Sequence, residues 1–370
     1  SLYMSASMEQ NERIVEHAAA ADVTYAFTSF QIPEELGVDF QHTLNGLLGK
    51  LRTAGISLIA DVGPDTCKML GVDDIDGLRE LGITHIRLDD GFCPEEAVEL
   101  SHRFRIVFNA STITREEIKT WKRLGADLSR FSACHNFYPK RNTGLAIEDV
   151  RAIDSLLAAF GFEIMGFVPT DDPTLARGPL FEGLPTVEFH RDRHDVALNM
   201  LQMRQEANCD IVLVGDPDLS DEGWKRLKQI SQGYVELRCT LHPEYEYLYG
   251  QIHHDRPDSS ALIFRSQESR RALRPAHVDV DGSAGLARDA GSIAISNKNY
   301  ARYEGELEIA RVALPGDERL NVIGTVDERD LRLLPYIKQA FGIRLVPSER
   351  RCRCDDGCPC LAGLVAGKNL

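Results

Sequence analysis

The chain has 370 residues, of which 43% are hydrophobic and 27% charged, as is ordinary for a soluble globular protein larger than one small domain. Its formal net charge of −15 argues against binding to nucleic acid or to anionic membranes, because both need a basic surface. No apolar run approaches the roughly 20 residues that cross a bilayer, and the first residues lack a secretory signal. The composition therefore predicts a cytoplasmic protein.

Short apolar runs alternate with helical patterns as far as residue 230. The runs that predict strands are, in order, Ser1–Tyr3, 25–30, 57–62, 85–90, 105–110, 130–135, 163–169 and 210–216. The helical patterns cover 7–20, 39–54, part of 64–81, 94–101, 114–123, 146–160, 190–207 and 221–230. Eight strands, each followed by a helix, predict an α/β fold of the TIM-like (β/α)8 barrel type. A doubly wound open sheet would carry G-x-G-x-x-G after its first strand, and that motif is absent.

The pattern changes near residue 232. Strand-like runs "YVELRCTL", "ALIFRS", "GSIAISN", "YEGELEIARVAL" and "LNVIGTVD" follow, with one helical pattern, "RDLRLLPYIKQAF". Strands with few helices predict a compact β-barrel or sandwich. We therefore predict a barrel domain over 1–231 and a β domain over 232–347, with the boundary between Ile230 and Tyr234.

Nine cysteines fall into two groups. Five are scattered, as expected of reduced thiols in a cytosolic enzyme. The other four crowd into "RCRCDDGCPC" and are Cys352, Cys354, Cys358 and Cys360. Four thiols so close together could bind zinc, but their C-x-C-x3-C-x-C spacing differs from paired C-x2-C knuckles. A disordered tail over 348–370 is the favoured interpretation.

Polar residues recur where the predicted barrel strands end, which is the edge where TIM-barrel enzymes place their active sites. They are Ser29, Asp61, Arg87, Asp89, Asn109, His135, Asn136 and Asp216. Alternation along each strand predicts that Asp61, Arg87, Asp89, Asn109 and Asp216 point inward. Structural roles stay open for each: a turn or cap for the aspartates, a buried Arg87–Asp89 ion pair, and a hydrogen-bonded structural role for His135.

Two connections between strands and helices add candidates. The stretch "ACHNFYPKRNTGL" (133–145) carries a dense set of hydrogen-bonding groups, and the loop "TDDPTLARGPLFEGLPTVEFH" places Arg177 beside Gly178 and contains Glu182. An arginine beside accessible backbone donors suits a phosphate, although a mobile surface loop is the alternative. The following "HRDRH" (190–194) is interpreted as a solvated face at the start of a helix.

Motifs for metal and serine chemistry are absent. There is no H-x-H, H-E-x-x-H or Gly-x-Ser-x-Gly pattern, so we expect no metal and no cofactor. A rim of carboxylates and amides instead suits acid–base chemistry on a sugar.

A set of ordered segments resembles one family. They are "FTSFQIPEE", "IADVGPDTCKMLGV", "GITHIRLDDGF", "NASTIT", "ACHNFYPKRNTGL", "RGPLFEGLPTVEFHR", "FRSQESR", "SIAISNKNYARYEGELEIA" and "NVIGTVDERD". These resemble, in this order, the bacterial 6-phospho-N-acetylmuramidases, which are glycosidases of peptidoglycan recycling. The resemblance extends to about Pro347, but the four-cysteine tail has no counterpart in it.

The resemblance implies a TIM-like barrel joined to a cyclophilin-like β-barrel. It also implies hydrolysis of a disaccharide in which N-acetylmuramic acid 6-phosphate is linked to N-acetylglucosamine. The motifs carry over these pocket positions: Asp61, Arg87, Asp89, Asn109, His135, Asn136, Tyr138, Arg177, Glu182 and Asp216.

A glycosidase needs a protonated carboxyl and a carboxylate, and we expect Asp89 and Asp61 in these roles with Glu182 in reserve. An acetamido group of the substrate acting as nucleophile is the alternative. The expected substrate-binding residues are Ser29, Arg87, Asn109, His135, Asn136, Tyr138, Arg177, Gly178 and Asp216, with Arg265, Arg270 or Arg302 of the second domain reaching an anion. The expected partner is a small phosphorylated disaccharide, and the sequence leaves a homo-oligomer open. Rival functions are a non-catalytic phospho-sugar binding protein and a phospho-sugar isomerase or lyase.

Overall fold

The structure, a computed structural model, describes residues 1–31, 40–63, 65–88, 91–270 and 277–348. Seven parallel strands form one sheet in the order β1 to β7, so that each strand pairs with the next along the chain. Their bounds are β1 Tyr25–Ser29, β2 Ser57–Val62, β3 His85–Leu88, β4 Arg105–Asn109, β5 Phe131–Cys134, β6 Glu163–Val168 and β7 Ile211–Val214. With helices between the strands, this is the TIM-like α/β fold that the sequence predicts.

Helices connect the strands of this first sheet. Within the described residues they are α1 Met8–Ala20, α2 Phe40–Ala54, α3 Thr66–Leu70, α4 Gly77–Glu80, α5 Pro94–Ser101, α6 Arg115–Arg123, α7 Ile147–Ala158, α8 Val196–Gln202 and α9 Asp221–Ser231. Helix α6 begins with the predicted capping box, in which Thr114 and Glu117 satisfy each other's backbone N–H groups. Helix α8 begins later than predicted, where the Asp195 side chain accepts a hydrogen bond from Leu198 N.

The first four residues lie between the edge strands β1 and β7, in the place of the first predicted strand, Ser1–Tyr3, but they do not form a regular strand. Leu2 N donates to Phe27 O of β1 (2.8 Å), and the Ser1 ammonium donates to Val214 O of β7 (2.7 Å). The Tyr3 hydroxyl donates to Gly215 O (2.6 Å). Beside this segment the edge strands leave a cavity of about 360 Å³ lined mainly by apolar side chains. Residues 1–4 therefore close the barrel at one end of these strands.

Alternation along the strands divides the side chains into an inner and an outer set. The inner set fills the barrel and comprises Phe27, Ile59, Val107, Cys134, Met165, Phe167 and Leu213. The outer set packs against the helices and includes Ala60, Ile86, Phe108 and Ala133. Because successive residues of a strand point to opposite faces, the next inner residue after Ile59 is Asp61, and after Val107 it is Asn109. The inward orientation predicted for these two residues agrees with the structure.

The second sheet also has seven strands, all from the latter part of the chain. Its order is β10-β12-β11-β13-β8-β14-β9. The bounds are β8 Tyr234–Leu241, β9 Ile252–His254, β10 Ile263–Arg265, β11 Ser292–Ser296, β12 Leu307–Ala310, β13 Leu320–Val326 and β14 Gly342–Pro347. Strand β8 follows α9 almost directly, which is where the sequence places the change of architecture.

A single bridge joins the two ends of this second sheet. Asp255, after β9, pairs with Ser266, after β10, and Gln267 N donates to His254 O (3.0 Å). The Asp255 carboxylate accepts from Arg265 N (3.0 Å) and pairs with the buried Arg311 guanidinium (2.9 Å). The second sheet is therefore barrel-like, as one of the two predicted alternatives requires.

Two strands of the second sheet were not predicted, and the predicted helix over 329–341 is wrong. Glu328–Tyr336 form a run of 3-10 turns that contains Pro335, and β14 follows at Gly342. Proline cannot donate the backbone hydrogen bond that a continuing α-helix needs.

Several expectations fall outside the described residues. Asp89 is one of them, and the cysteines of the predicted tail are the others. Among the helices that the structure describes, none combines the length and the apolarity that a membrane crossing requires.

Candidate active site

A carboxylate and a guanidinium meet on the inner face of the first barrel at the carboxyl ends of its strands. Asp61 of β2 lies in register with Ser29 of β1 and with Arg87 of β3. Asp61 Oδ2 accepts from Ser29 Oγ (2.8 Å), and Oδ1 accepts from Arg87 Nη1 (3.0 Å) and from Gln31 Nε2 (3.2 Å). Both charged residues are nearly buried, with Asp61 8% and Arg87 3% exposed. Parallel strands thus bring together residues that are far apart in the sequence.

Arg87 also reaches the loop after β5. Its Nη2 group donates to Asn136 Oδ1, so one guanidinium links Asp61 to Asn136. A buried charge is tolerated when a partner and hydrogen bonds replace its lost hydration. We call Ser29, Gln31, Asp61, Arg87 and Asn136 the rim cluster. It unites four residues of the predicted site with Gln31, which the sequence analysis missed.

Cys134 lies below the rim cluster on the inner face of β5. Burial raises the pKa of its thiol to about 12, against a smaller opposing influence of the nearby Arg87. The thiol is therefore protonated at neutral pH and is not a nucleophile.

Asn109 ends β4 on the same inner face, and its Oδ1 accepts from Ser111 N (3.0 Å). Its amide NH2 group is the part left to meet a ligand.

His135 does not face the rim cluster, and its predicted contact with the substrate stays a prediction. It follows Cys134 on the outer face of the barrel and is fully buried. Its Nε2 atom lies 2.6 Å from Asp154 Oδ1 of α7, and its Nδ1 atom lies 3.1 Å from Ser111 Oγ. With both ring nitrogens engaged, His135 fixes the loop that contains Ser111.

Asp216 is also buried and outside the barrel interior, contrary to the predicted inward orientation. Its neighbours Val212 and Val214 pack on the helix side, whereas Leu213 fills the interior. The Asp216 carboxylate accepts from three backbone N–H groups, those of Thr170 (2.9 Å), Arg177 (3.0 Å) and Leu184 (3.1 Å). It therefore shapes the loop after β6 and does not contact the rim cluster through these bonds.

The loop after β6 presents Arg177 and Gly178 to a cavity of about 750 Å³. The Arg177 guanidinium stacks 4.2 Å from the centre of the Tyr3 ring. The backbone is close-packed at Gly178, where an added Cβ would lie 2.9 Å from the Phe181 ring. The expected contact between Arg177 and an anionic group stays a prediction.

Glu182 lies in the same loop but is paired with a cation. Arg141 Nε is 3.3 Å from Glu182 Oε1, and the Arg141 guanidinium also donates two hydrogen bonds to Asp192 (2.7 and 3.0 Å). The catalytic acid of a glycosidase typically lies in an apolar pocket, whereas Glu182 lies beside a guanidinium and is partly exposed. The position of Glu182 therefore fits a loop contact better than an acid.

The stretch 133–145 is held by a buried arginine that the sequence analysis assigned to a solvated face. Arg191 is 3% exposed, and its Nη2 atom donates to Tyr138 O (2.8 Å). It also donates to Gly183 O (3.0 Å) and pairs with Glu188 (2.8 Å). Hydrogen bonds from Arg191 lower the pKa of Glu188 to about 2, so both groups are charged at neutral pH.

His190, next to Arg191, is fully buried as well. Burial lowers the pKa of its imidazole to about 3, so the ring is neutral at neutral pH. The prediction that "HRDRH" forms a solvated face is therefore wrong at two positions. Arg191, through its hydrogen bonds to Tyr138 O and Gly183 O, fixes the two loops that flank the site to each other.

Arg302 lies in the second sheet region and is exposed. Its guanidinium lies 4.9 Å from the centre of the Tyr303 ring, and its Nη2 atom donates to the Tyr303 hydroxyl (3.0 Å).

The described residues contain no group of three or more His, Cys, Asp or Glu side chains that could hold a metal ion. The five cysteines of this part of the chain are free thiols: Cys67, Cys93, Cys134, Cys209 and Cys239.

Two family models match this chain. One, described as 6-phospho-N-acetylmuramidase, N-terminal, matches residues 1–229, and its C-terminal counterpart matches residues 234–346. The chain belongs to the 6-phospho-N-acetylmuramidase family. A 6-phospho-N-acetylmuramidase is a glycosidase.

Solved structures support the same fold for this 6-phospho-N-acetylmuramidase family member. A conserved Enterococcus faecalis protein of unknown function is 28% identical, with a TM-score of 0.72 over 94% of this chain and 95% of that chain. An uncharacterized B. cereus protein is 24% identical, with a TM-score of 0.68 over 92% and 96% of the two chains. A search of curated proteins finds no match.

Proposed function

We propose that this family member hydrolyses the glycosidic bond between N-acetylmuramic acid 6-phosphate and N-acetylglucosamine in a phosphorylated disaccharide. The observation that carries the proposal is the Asp61 carboxylate, fixed by Ser29 and Arg87 at the carboxyl end of the barrel. TIM-barrel enzymes perform their chemistry at this end, and the family is one of glycosidases.

In the proposed reaction Asp61 acts as the base, as the nucleophile or as the group that orients the acetamido group of the substrate. The guanidinium and hydroxyl beside it fix its orientation through hydrogen bonds. A carboxylate held in this way can activate water, attack the anomeric carbon, or orient the acetamido group of the substrate for attack. The roughly 5–5.5 Å or 6.5–9.5 Å separation of the two carboxyl groups decides between retention and inversion.

The acid that protonates the leaving oxygen is proposed to be Asp89. In the sequence it is two residues after Arg87, and strand alternation predicts the same face for both residues. Glu182 is the reserve candidate, and its ion pair with Arg141 (3.3 Å) weighs against it.

Sugar hydroxyls are proposed to contact the amides of Asn109 and Asn136 and the phenol of Tyr138. The cavity beside Arg177 and Gly178 is proposed to take one of the two anionic groups, the phosphate or the lactyl carboxylate. His135 and Asp216 then act indirectly, because each holds a loop that carries a contact residue.

Purified protein incubated with the phosphorylated disaccharide should release N-acetylglucosamine, which mass spectrometry detects. Replacing Asp61 by Asn should lower kcat by about 10²–10⁴-fold, because the amide cannot act as base or nucleophile. The matched control is Asp127→Asn, at the 3-10 turn before β5, which is the end of that strand opposite to the rim cluster.

Each other outcome has a defined meaning. Binding without release of product would favour a non-catalytic phospho-sugar binding protein. A product of rearrangement or carbon–carbon cleavage would favour an isomerase or lyase. Full activity in Asp61→Asn would remove Asp61 from the mechanism.

A further inference from the structure

Three arginines surround one tyrosine ring in the second barrel, away from the rim cluster in the sequence. The guanidinium carbons of Arg302, Arg270 and Arg265 lie 4.9, 5.3 and 5.9 Å from the centre of the Tyr303 ring. Arg265 ends β10, Arg270 follows it, and Arg302 and Tyr303 belong to a turn between β11 and β12. We call these four residues the arginine cluster.

The arginine cluster has an excess of positive charge. Glu306 is the carboxylate that it contacts: Arg265 Nε is 2.9 Å from Oε1, and Arg270 Nε is 3.5 Å from Oε2. Three guanidinium groups against one carboxylate leave two positive charges. The next carboxylate along β12, Glu308, is paired with Arg288 instead. In a chain with a net charge of −15, such an excess needs an explanation.

A second arginine–tyrosine pair in the same barrel has a carboxylate that neutralises its guanidinium. Arg319 lies 4.4 Å from the centre of the Tyr300 ring, and Asp317 accepts two hydrogen bonds from it (2.8 Å each). Arg302 has no such acid among the described residues, because Glu304, two positions along, binds His277 (2.8 Å). Its guanidinium is therefore left to bind something else.

The backbone that carries Arg302 is held in a costly conformation. Ala301 has φ 50° and ψ −115°, a region that favours glycine. Backbone strain of this kind costs on the order of 1–3 kcal/mol and persists where the surrounding structure fixes it, often at ligand sites. Arg270 Nη1 donates to Arg302 O (2.6 Å), which fixes the turn to the other arm of the cluster.

We propose that the arginine cluster is a binding site for a phosphate monoester. Such a group carries a charge of about −1.5 to −2 near neutral pH, which matches the two unbalanced positive charges. Guanidinium groups bind phosphate oxygens through paired, charge-assisted hydrogen bonds, and the Tyr303 hydroxyl supplies a further polar group. The Glu306 carboxylate stays behind Arg265 and Arg270, where its side chain is 6% exposed and keeps them in place.

The phosphate monoester can come from two sources. If the proposed reaction is correct, one source is the 6-phosphate of the disaccharide, and the cavity at Arg177 then serves the lactyl carboxylate. The other source is a separate sugar phosphate that binds without being cleaved. The existence of the site does not depend on the proposed reaction, since both sources present the same dianion.

Titration calorimetry with glucose 6-phosphate and with inorganic phosphate tests the site on the full chain. The parent protein should bind glucose 6-phosphate, and Arg302→Gln should weaken that affinity by about tenfold or more, since it removes one charge-assisted contact. Arg319→Gln is the matched control, because it removes an arginine on a tyrosine that is already neutralised. Both side chains are exposed, so thermal unfolding should show that both variants fold. Unphosphorylated glucose should not bind at the cluster.

Steady-state kinetics then separates the two sources. If Arg302→Gln raises KM for the phosphorylated disaccharide, the ligand is the substrate. If it weakens glucose 6-phosphate binding and leaves kcat and KM unchanged, the ligand is a separate sugar phosphate. The proposal is overturned if the parent protein binds neither phosphate probe below about 10 mM. It is also overturned if Arg302→Gln and Arg319→Gln affect binding equally, and neither result bears on Asp61.

Discussion

Among single residues, Arg191 has the most extensive role in holding the candidate active site together. Its buried side chain contacts the backbone at Tyr138 and Gly183 and pairs with Glu188. Glu188 in turn accepts from Asn142 N and Gly144 N (2.8 Å each). One ion pair thus joins the loop after β5 to the loop after β6.

Arg191→Ala should lower the free energy of unfolding by about 3–5 kcal/mol, because it leaves Glu188 and several carbonyl groups without their donor. Urea denaturation followed by fluorescence measures the change. Arg141→Ala is the control, since its ion pairs are exposed and each contributes about 1 kcal/mol or less. Equal losses in the two variants would show that Arg191 does not hold the loops.

The residues of the site were predicted from sequence with uneven success. Asp61, Arg87 and Asn109 were placed on the inner face because strand alternation depends only on local spacing. The pairing of His135 with Asp154 was not predictable, because Asp154 lies 19 residues away on a helix. Arg191 was misassigned because a polar segment gives no local sign that its charge is buried and paired.

At the scale of secondary structure elements, the end of β7 depends on a close approach between two backbones. A Cβ added at Gly215 would lie 2.3 Å from Leu184 O, which is closer than a Cβ atom comes to another heavy atom in protein structures. Leu184 belongs to the loop that Asp216 shapes, and Gly215 also accepts the Tyr3 hydroxyl. A small residue is therefore required where β7, the closing segment and this loop meet.

Gly215→Ala should destabilise the protein by about 2 kcal/mol or more and lower activity, because the loop bearing Arg177 has to move. Gly49→Ala in helix α2 is the matched control. The added methyl group there meets nothing within 4 Å, and alanine in a helix stabilises by about 0.5–1 kcal/mol. Thermal unfolding of both variants measures the difference, and an unchanged midpoint for Gly215→Ala would contradict the close approach.

The helices and strands were predicted correctly where their buried residues give the sequence a regular apolar pattern. All seven strands of the first sheet were predicted, because each contains a short run of apolar residues that is covered on both faces. The sequence placed Ser1–Tyr3 as the first strand of the barrel, but it gave no sign that residues 1–4 close the barrel by a few backbone hydrogen bonds without forming a regular strand. The domain limits at 231 and 347 and the cyclophilin-like assignment of the second barrel stay predictions.

At the scale of the whole molecule, burial holds three histidines neutral among the residues that the structure describes. Burial lowers the pKa of His190 to about 3 and the pKa values of His85 and His253 to about 4, from an ordinary value of 6.5. Between these values and 6.5 the unfolded chain binds protons that the folded chain does not. Stability therefore increases with pH through this window and is lost as the pH falls from about 6.5 towards 4.

The urea midpoint should accordingly be lower at pH 5 than at pH 7. His253→Gln should show a smaller difference between the two pH values, since it removes one of the three groups. His277→Gln is the control, because His277 is exposed in this structure. Identical midpoints at pH 5 and pH 7 would contradict the assignment of neutral buried imidazoles.

Closure of the two sheets bears on how the protein behaves at high concentration. An open sheet exposes unpaired N–H and C=O groups along its edge, and these recruit strands from other copies into aggregates. Here residues 1–4 cover the edges of β1 and β7, and the Asp255–Ser266 bridge joins β9 to β10. Self-association through strand pairing would first have to break one of these few hydrogen bonds. We therefore expect the two junctions to protect the protein from aggregation by strand pairing.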